Sequence, residues 1–262
     1  INPPQVSRRR VPQIVWQVAV FAAVLLAWQL GAGAVDKQTF PSVDETFEAL
    51  RGLLGDRGFW TAVRFTAQGW AVGLSLAMVF GISLGLAIGR SKFLSDSSKG
   101  LLDFLRSIPG VAMIFIFLGL FQSSLRMKYG IVAQAAGWPI MIQSMYGARA
   151  MSATLHDFSA AYRLSPRDRL FKLALPSAMP FIITGIRLAA SVALVVNIAA
   201  EYWGSAPGLG REVIIARNDD LYPEVYALIV VAGVLGVLLN RLVVWFDRWA
   251  LAWHPSNRKD EG

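Results

Sequence analysis

The chain has 262 residues, of which 55% are hydrophobic and only 16% charged, with 25 Lys and Arg against 17 Asp and Glu. Soluble domains carry about a quarter charged residues, so the composition excludes an ordinary soluble domain and points to a membrane protein. The absence of cysteine excludes a disulfide scaffold or thiolate metal centre, and two distant histidines, His156 and His254, argue against a histidine metal site or catalytic triad.

Six apolar stretches can be drawn at a membrane-crossing length of about 20 residues: 14–35, 68–89, 101–121, 129–148, 178–202 and 225–249. Helices are expected, because barrel strands alternate in short segments of roughly ten residues. The fold class expected is all-α, a polytopic protein of six transmembrane helices. The first stretch exceeds the roughly 7–15 apolar residues of a secretory signal and reads as a retained anchor. After it, Ser42 and Glu45 form a capping box. Val43, Phe47, Leu50 and Leu54 then line one face before Gly55, giving an amphipathic helix or an interfacial loop.

Small residues recur at every fourth position of the second stretch: Gly73, Ala77, Gly81, Gly85 and Gly89. That spacing puts them on one helix face, where another backbone can approach closely. Arg106 and Pro109 interrupt the third stretch. The fourth carries Gln134, Trp138 and Gln143, candidates for a pathway or for ordinary packing. Gly185, Ala189 and Ala193 repeat the small-residue device in the fifth stretch, as Ala232 and Gly236 do in the sixth. Charged groups inside a span are costly and mark functional candidates. Arg187 and Glu201 stand nearly four turns, about 20 Å, apart along the fifth stretch, too far to pair. Asn197 lies one turn below Glu201. Arg187 reads either as an attractor for an anion or as a group satisfied by carbonyls or a carboxylate. Glu201 reads as a brace of the outer gate beside Trp203. The segment 207–221, with Gly208, Gly210 and Arg217, is expected to fold back toward the outer mouth or to form an interfacial loop.

The net charge of +8 is explained by the positive-inside rule without invoking nucleic acid. Arg8, Arg9 and Arg10 precede the first stretch, Arg90, Lys92 and Lys99 follow the second, and Arg248, Arg258 and Lys259 follow the last. The loop after the fourth stretch holds Arg149, Arg163, Arg167, Arg169 and Lys172. The alternate loops are poorer in basic residues: Lys37, Arg51 and Arg57, then Arg126 and Lys128, then Arg211 and Arg217. Both termini and the long basic loop are therefore expected in the cytoplasm. The division is a tail at 1–13, a transmembrane domain at 14–249 with a cytoplasmic loop at 149–176, and a tail at 250–262.

Inside that loop Ser165, Pro166, Arg167 and Asp168 make a strong helix start: a capping serine, proline at the first position, and an acid at the third to close the box. A second short helix is expected at 152–162, so the two meet in a projecting knuckle. The loop resembles the EAA loop of permease subunits in binding-protein-dependent ABC importers. Asp157, Phe158 and Ser159 stand at its Glu-Ala-Ala places, Arg163 at its glycine, and Leu173, Leu175 and Pro176 at its end with the spacing kept. Phe40, Pro41 and Ser42, then Arg106 to Pro109, Ala178 and Pro180, Gly185 to Ala189, Ala200 and Glu201, and Gly208 and Gly210 are similar to the taurine, alkanesulfonate and nitrate permease branch. Phe158, Ser159 and Arg163 depart from the pattern, as does the stretch 122–128 at the end of the third span.

The resemblance implies the type I importer permease fold in a bacterial inner membrane. It implies half of a translocation pathway for a small anion such as sulfonate, nitrate or carboxylate. The partners implied are ABC ATPase subunits, an extracytoplasmic substrate-binding protein and a second permease subunit, with the departures tilting the pair toward a heterodimer. No cofactor is expected in this chain, which has no Walker glycine loop; ATP and Mg belong to the ATPase, so the chain is not itself an enzyme. ATPase contact is expected at Leu164, Ser165, Pro166, Arg167 and Arg169, with Asp157, Arg163 and Asp168 setting the loop geometry, although Arg167 and Arg169 serve equally as topology determinants. Tentative pathway residues are Gln134, Trp138, Arg187, Asn197, Glu201 and Trp203. A stand-alone secondary transporter or channel is the alternative, opposed by the lack of a second half and of paired discontinuous helices. A membrane enzyme is opposed by the lack of an acid, base or metal constellation.

The orientation is testable on a cysteine-free background. Cysteines at Ser97 and Ser165 are expected to label only from the cytoplasm, and those at Ser42 and Ser205 only from outside; outside labelling at Ser165 would overturn the orientation.

Overall fold

A computed structural model describes residues 13–34, 39–151 and 153–251. Arg8, Arg9, Arg10, Lys37, Arg258 and Lys259, the terminal tails almost entirely, and the side chain of His156 lie outside the described residues. The elements are α1 (Gln13–Ala34), α2 (Val43–Leu54), α3 (Arg57–Gly89), α4 (Lys92–Ser107), a 3₁₀ turn (Gly110–Ala112), α5 (Met113–Phe121), α6 (Ser124–Ala148) and α7 (Ala153–Ala161). They continue with α8 (Pro166–Asp168), a π-helical turn (Arg169–Ala174), α9 (Leu175–Trp203), α10 (Leu209–Asn218) and α11 (Tyr222–Ala250). The described residues are helical throughout apart from turns and connectors, as the composition requires.

At the centre α6 is sandwiched between α3 and α9. The small-residue stripe makes this possible: Gly73, Ala77, Gly81, Gly85 and Gly89 all lie on the buried face of α3. A Cβ on Gly81 would stand 3.0 Å from the Gly137 carbonyl oxygen, and one on Gly89 would stand 2.7 Å from both Ala148 Cβ and Met145 O. From the other side, Ala178, Ile182, Ala189 and Ala193 of α9 pack with Ile131, Val132, Ala136 and Ile140 of α6 into one core. A second cluster at the far end joins Phe59 and Ala62 of α3 to Leu209 and Ala216 of α10 and Val225 and Leu228 of α11.

Four helical stretches are long and apolar enough to cross a membrane: 14–34, Arg57–Gly89, Pro166–Trp203 and Tyr222–Ala250. Two sequence expectations change here. The stretch 101–121 is not one straight span: Lys92–Ser107 and Gly110–Phe121 meet at 73° and make a fifth crossing only if taken together. Proline supplies no amide hydrogen and disfavours helical backbone before it, and Ile108, preceding Pro109, is extended with ψ 121. The stretch 129–148 falls in the 25-residue α6, long enough to cross but outside the set that is also apolar enough. Enclosed by α3 and α9, α6 meets protein where a peripheral helix meets lipid, so it is less apolar than the other crossings.

The predicted capping box on α2 is complete: Ser42 Oγ accepts from Glu45 N at 3.2 Å and the Glu45 carboxylate accepts from Ser42 N at 2.8 Å. Helix α1 is tied down near its end, where Trp28 Nε1 donates to Pro41 O at 3.0 Å and Gln29 bonds Val43 N and Asp44. The amide that Pro176 lacks would have served the Lys172 carbonyl, and the helix widens into the π turn there.

The α3–α6 contact has an unyielding test. A side chain on Gly85 would press on the Met141 carbonyl oxygen and lie 2.6 Å from Ser144 Cβ. Gly85→Val is expected to lower stability by about 3 kcal/mol or more and to depress the thermal midpoint in detergent, while Gly119→Ala, with nothing within 4 Å, leaves it nearly unchanged.

Candidate functional site

Two constructions stand at opposite ends of the long helix Pro166–Trp203. At its start is the knuckle. Helix α7 ends with Phe158 and Tyr162 rings 4.4 Å apart, and the chain reverses at Arg163, whose φ is +47. The loop pattern that this segment resembles has glycine at this position, and a left-handed residue with a side chain costs roughly 1–2 kcal/mol. The turn is locked by Leu164 N donating to Ser159 O at 3.1 Å. Ser165 then caps α8, accepting from Asp168 N at 3.2 Å while its hydroxyl donates to Asp168 Oδ2 at 2.7 Å. The box differs from the expected one, because Asp168 bonds the Ser165 hydroxyl and, at 2.6 Å, the Lys172 ammonium. Lys172 first and Ser165 second hold the Asp168 carboxyl below its usual range. Ser165, Pro166, Arg167 and Arg169 are exposed, as is Asp157, whereas Leu164 turns inward over a cavity of about 340 Å³ beside Leu86, Ala148 and Met151.

At the other end is a buried charge cluster. Sequence reading places Lys128 among loop charges; the structure puts it in α6 with a fully buried side chain, 3.1 Å from the equally buried Glu201. Its ammonium donates to Glu201 Oε1, to Phe65 O at 3.0 Å and to Pro207 O at 2.7 Å, using all three hydrogens. Glu201 is equally saturated. Oε1 also accepts from Asn197 Nδ2 at 3.1 Å, and Oε2 accepts from Thr66 Oγ1 at 2.9 Å and Gly210 N at 3.0 Å. Thr66 Oγ1 in turn accepts from Leu209 N at 2.9 Å, so the cluster caps the start of α10. Gly208 has φ +150 and its α-carbon lies against the Glu201 carboxylate, so no side chain fits there. Lys128 and Thr66 are absent from the sequence candidates. The one signal for Lys128 is a cation abutting an apolar stretch that faces an acid across the bundle; Thr66 offers none.

The other candidates are scattered. Arg187 meets Asp247 of α11 at 3.5 Å and is half exposed, well separated from Glu201 in sequence and pairing. Trp203 is exposed, next to Tyr202 at the end of α9. Gln134 is partly buried with Oε1 unpaired, and Trp138 lines a cleft between α4 and α6. Among the described residues no group of three His, Asp or Glu side chains is placed to hold a metal.

Residues 77–251 match the model of the binding-protein-dependent transport system inner membrane component family. The chain belongs to that family. This permease is 29% identical over 246 residues to a nitrate import permease protein of Synechocystis sp., covering 90% of this chain and 89% of that protein. It is also 29% identical over 256 residues to a bicarbonate transport system permease protein of Synechococcus elongatus, covering 93% and 92%. The methionine ABC transporter in inward-facing conformations superposes with a TM-score of 0.61 at 19% identity, over 74% of this permease and 96% of that chain. That likeness shows the fold, the all-α type I importer permease. The family match takes in the knuckle, α9, α10 and the Lys128–Glu201 pair, and begins after Thr66.

Breaking one side of a buried pair strands the other charge, at about 3–5 kcal/mol. In this permease Lys128→Met is expected to cost that much in detergent unfolding. Lys128→Met combined with Glu201→Gln is expected to cost less than the two single changes summed. Additive effects would show that the pair is not coupled.

Proposed function

We propose that this permease forms half of the translocation pathway of an ATP-driven importer of small oxyanions, nitrate, bicarbonate or sulfonate in kind. It docks on a separate ATPase subunit through the knuckle at 165–169. The observation that carries this reading is mechanical: the exposed, Ser165-capped knuckle continues through the π turn Arg169–Ala174 into α9 as one 38-residue helical stretch. A push on α8 therefore reaches the buried face of α9 and its end at the Lys128–Glu201 cluster. The similarity to nitrate and bicarbonate permeases over nine-tenths of the chain supports the substrate class.

In this reading the basic knuckle and both termini face the cytoplasm, and α2 and α10 face outward toward a soluble binding protein. The bent pair counts as one crossing and α6 as the enclosed sixth. ATP and Mg act on the ATPase, whose docking surface meets Ser165, Pro166, Arg167 and Arg169, while Arg163, Leu164, Asp157 and Asp168 shape the loop. Gln134 and Trp138 face the pathway. Asn197 and Glu201 serve it by fixing α10, Trp203 stands at the outer rim, and Arg187 holds α11 through Asp247. The second permease subunit is a different polypeptide, since Phe158, Ser159 and Arg163 depart from the EAA pattern in this copy.

Replacing Pro166 and Arg167 with aspartate is expected to reduce copurification of the ATPase and vesicle uptake at least tenfold while the thermal midpoint of the bundle stays put. Wild-type levels of both would remove the docking assignment. Native mass spectrometry of the wild-type complex counts its subunits, and two copies of this chain would replace the mixed pair with a homodimer.

A further inference from the structure

Helix α4 lies at the side of the bundle, packed chiefly on α3 with Ser95 its buried residue. Phe93, Leu94, Leu101 and Phe104 are exposed on one face, while Ser95, Lys99, Asp103 and Arg106, three to four residues apart, line a solvent-open cleft against α6 in which only Ser95 is buried. The opposing face of α6 presents Trp138, Ile142, Tyr146 and Arg149 at the same helical spacing. Between them is a cleft of about 290 Å³, the size for an ion of a few heavy atoms with water. It begins beside the Pro109 break, where α4 turns 73° into α5.

The chemistry of the cleft is that of an anion receptor. Lys99, Arg106 and Arg149 outnumber its two acids, Asp96 and Asp103. Arg106 holds Asp103 at 3.1 Å. Arg149 is anchored by Nε donating to the Gly89 carbonyl at 3.2 Å, which fixes the guanidinium plane and leaves its terminal nitrogens for a planar oxyanion. No carboxylate lies within 4.0 Å of Lys99 or Arg149 among the described residues. Trp138 and Tyr146 also line the wall, aromatic side chains that each carry one polar donor at the ring edge.

We propose that this α4–α6 cleft is an oxyanion site on the inner half of the pathway, with Lys99 and Arg149 supplying charge and Trp138 and Tyr146 supplying hydrogen bonds. The proposal rests on the reading of this permease as an anion importer. The same chemistry suits an oxyanion free in the pathway and the phosphate of a lipid headgroup, and the experiment separates them.

The complete transporter is reconstituted in vesicles and its uptake of nitrate, bicarbonate and methanesulfonate is measured. Lys99→Gln and Arg149→Gln are each expected to reduce uptake of the carried anion about tenfold, the worth of one charge-assisted hydrogen bond. Lys99→Arg retains it, and the ATPase subunit copurifies in wild-type amount with all three variants. Full uptake by both glutamine variants, with the wild type carrying one of the anions, would overturn the cleft assignment and leave the importer reading intact. A wild type that carries none of the three would overturn the anion reading and the cleft with it. A loss confined to vesicles containing phosphatidylglycerol, and absent from pure phosphatidylcholine, would assign the cleft to a lipid headgroup and overturn the substrate proposal.

Discussion

Helices in a bilayer gain little by hiding apolar surface from one another, since lipid is as apolar as leucine, so their association depends on how closely their backbones approach. In this permease the constraint falls on α3. Its glycines and alanine at every fourth position lie buried against α6, and α9 closes on α6 from the other side with alanines of its own. The three-helix centre admits no bulk at these positions, and every other element is arranged around it. Helix α1 stands outside, tied by its end to α2 and by Trp28 to Tyr226.

With the centre fixed, the buried charge becomes affordable in structural terms. A lone lysine or glutamate in such a place is costly; here each hydrogen of Lys128 and each oxygen of Glu201 has a partner. What the pair holds is backbone. Carbonyls of Phe65 and Pro207 and the amide of Gly210 converge on it, and the amide of Leu209 joins through Thr66 Oγ1, so α3, α6, α9 and the start of α10 meet at one point. Apart from the buried, unpaired Asn197 Oδ1, the network is satisfied, which favours a single arrangement. In the proposed cycle it keeps the outer segment in place while the opposite end of the same long helix receives the ATPase.

That helix also carries the irregularities on which the proposed coupling depends. The knuckle enters it through a left-handed Arg163 and a Ser165 cap, and a π turn precedes Pro176. Helices bend where the regular ladder is broken, so movement at the knuckle has a defined place to be absorbed or passed on. The cleft between α4 and α6 lies on the same side of the molecule as the knuckle, both being close to the ends of α3 and α6 at Gly89 and Ala148. An anion held there would be near the proposed docking surface for the ATPase.

Sequence alone determined the elements whose signals are local. Spacing by four residues identified the packing face of α3, a serine followed by an acid three places on marked the starts of α2 and α8, and Pro109 marked the break in the third stretch. Apolar length located the candidate crossings, the central helices α6 and α9 among them. It could not decide what depends on neighbours distant in the chain. The bend at Pro109 and the polar face of α4 acquire meaning only opposite α6. Lys128 reads as a loop charge until Glu201, 73 residues away, stands beside it. Arg187 finds its carboxylate on α11. A charge is placed by whichever partner the folded bundle brings within a few ångströms, and that distance is a property of the packing, written nowhere in the local sequence.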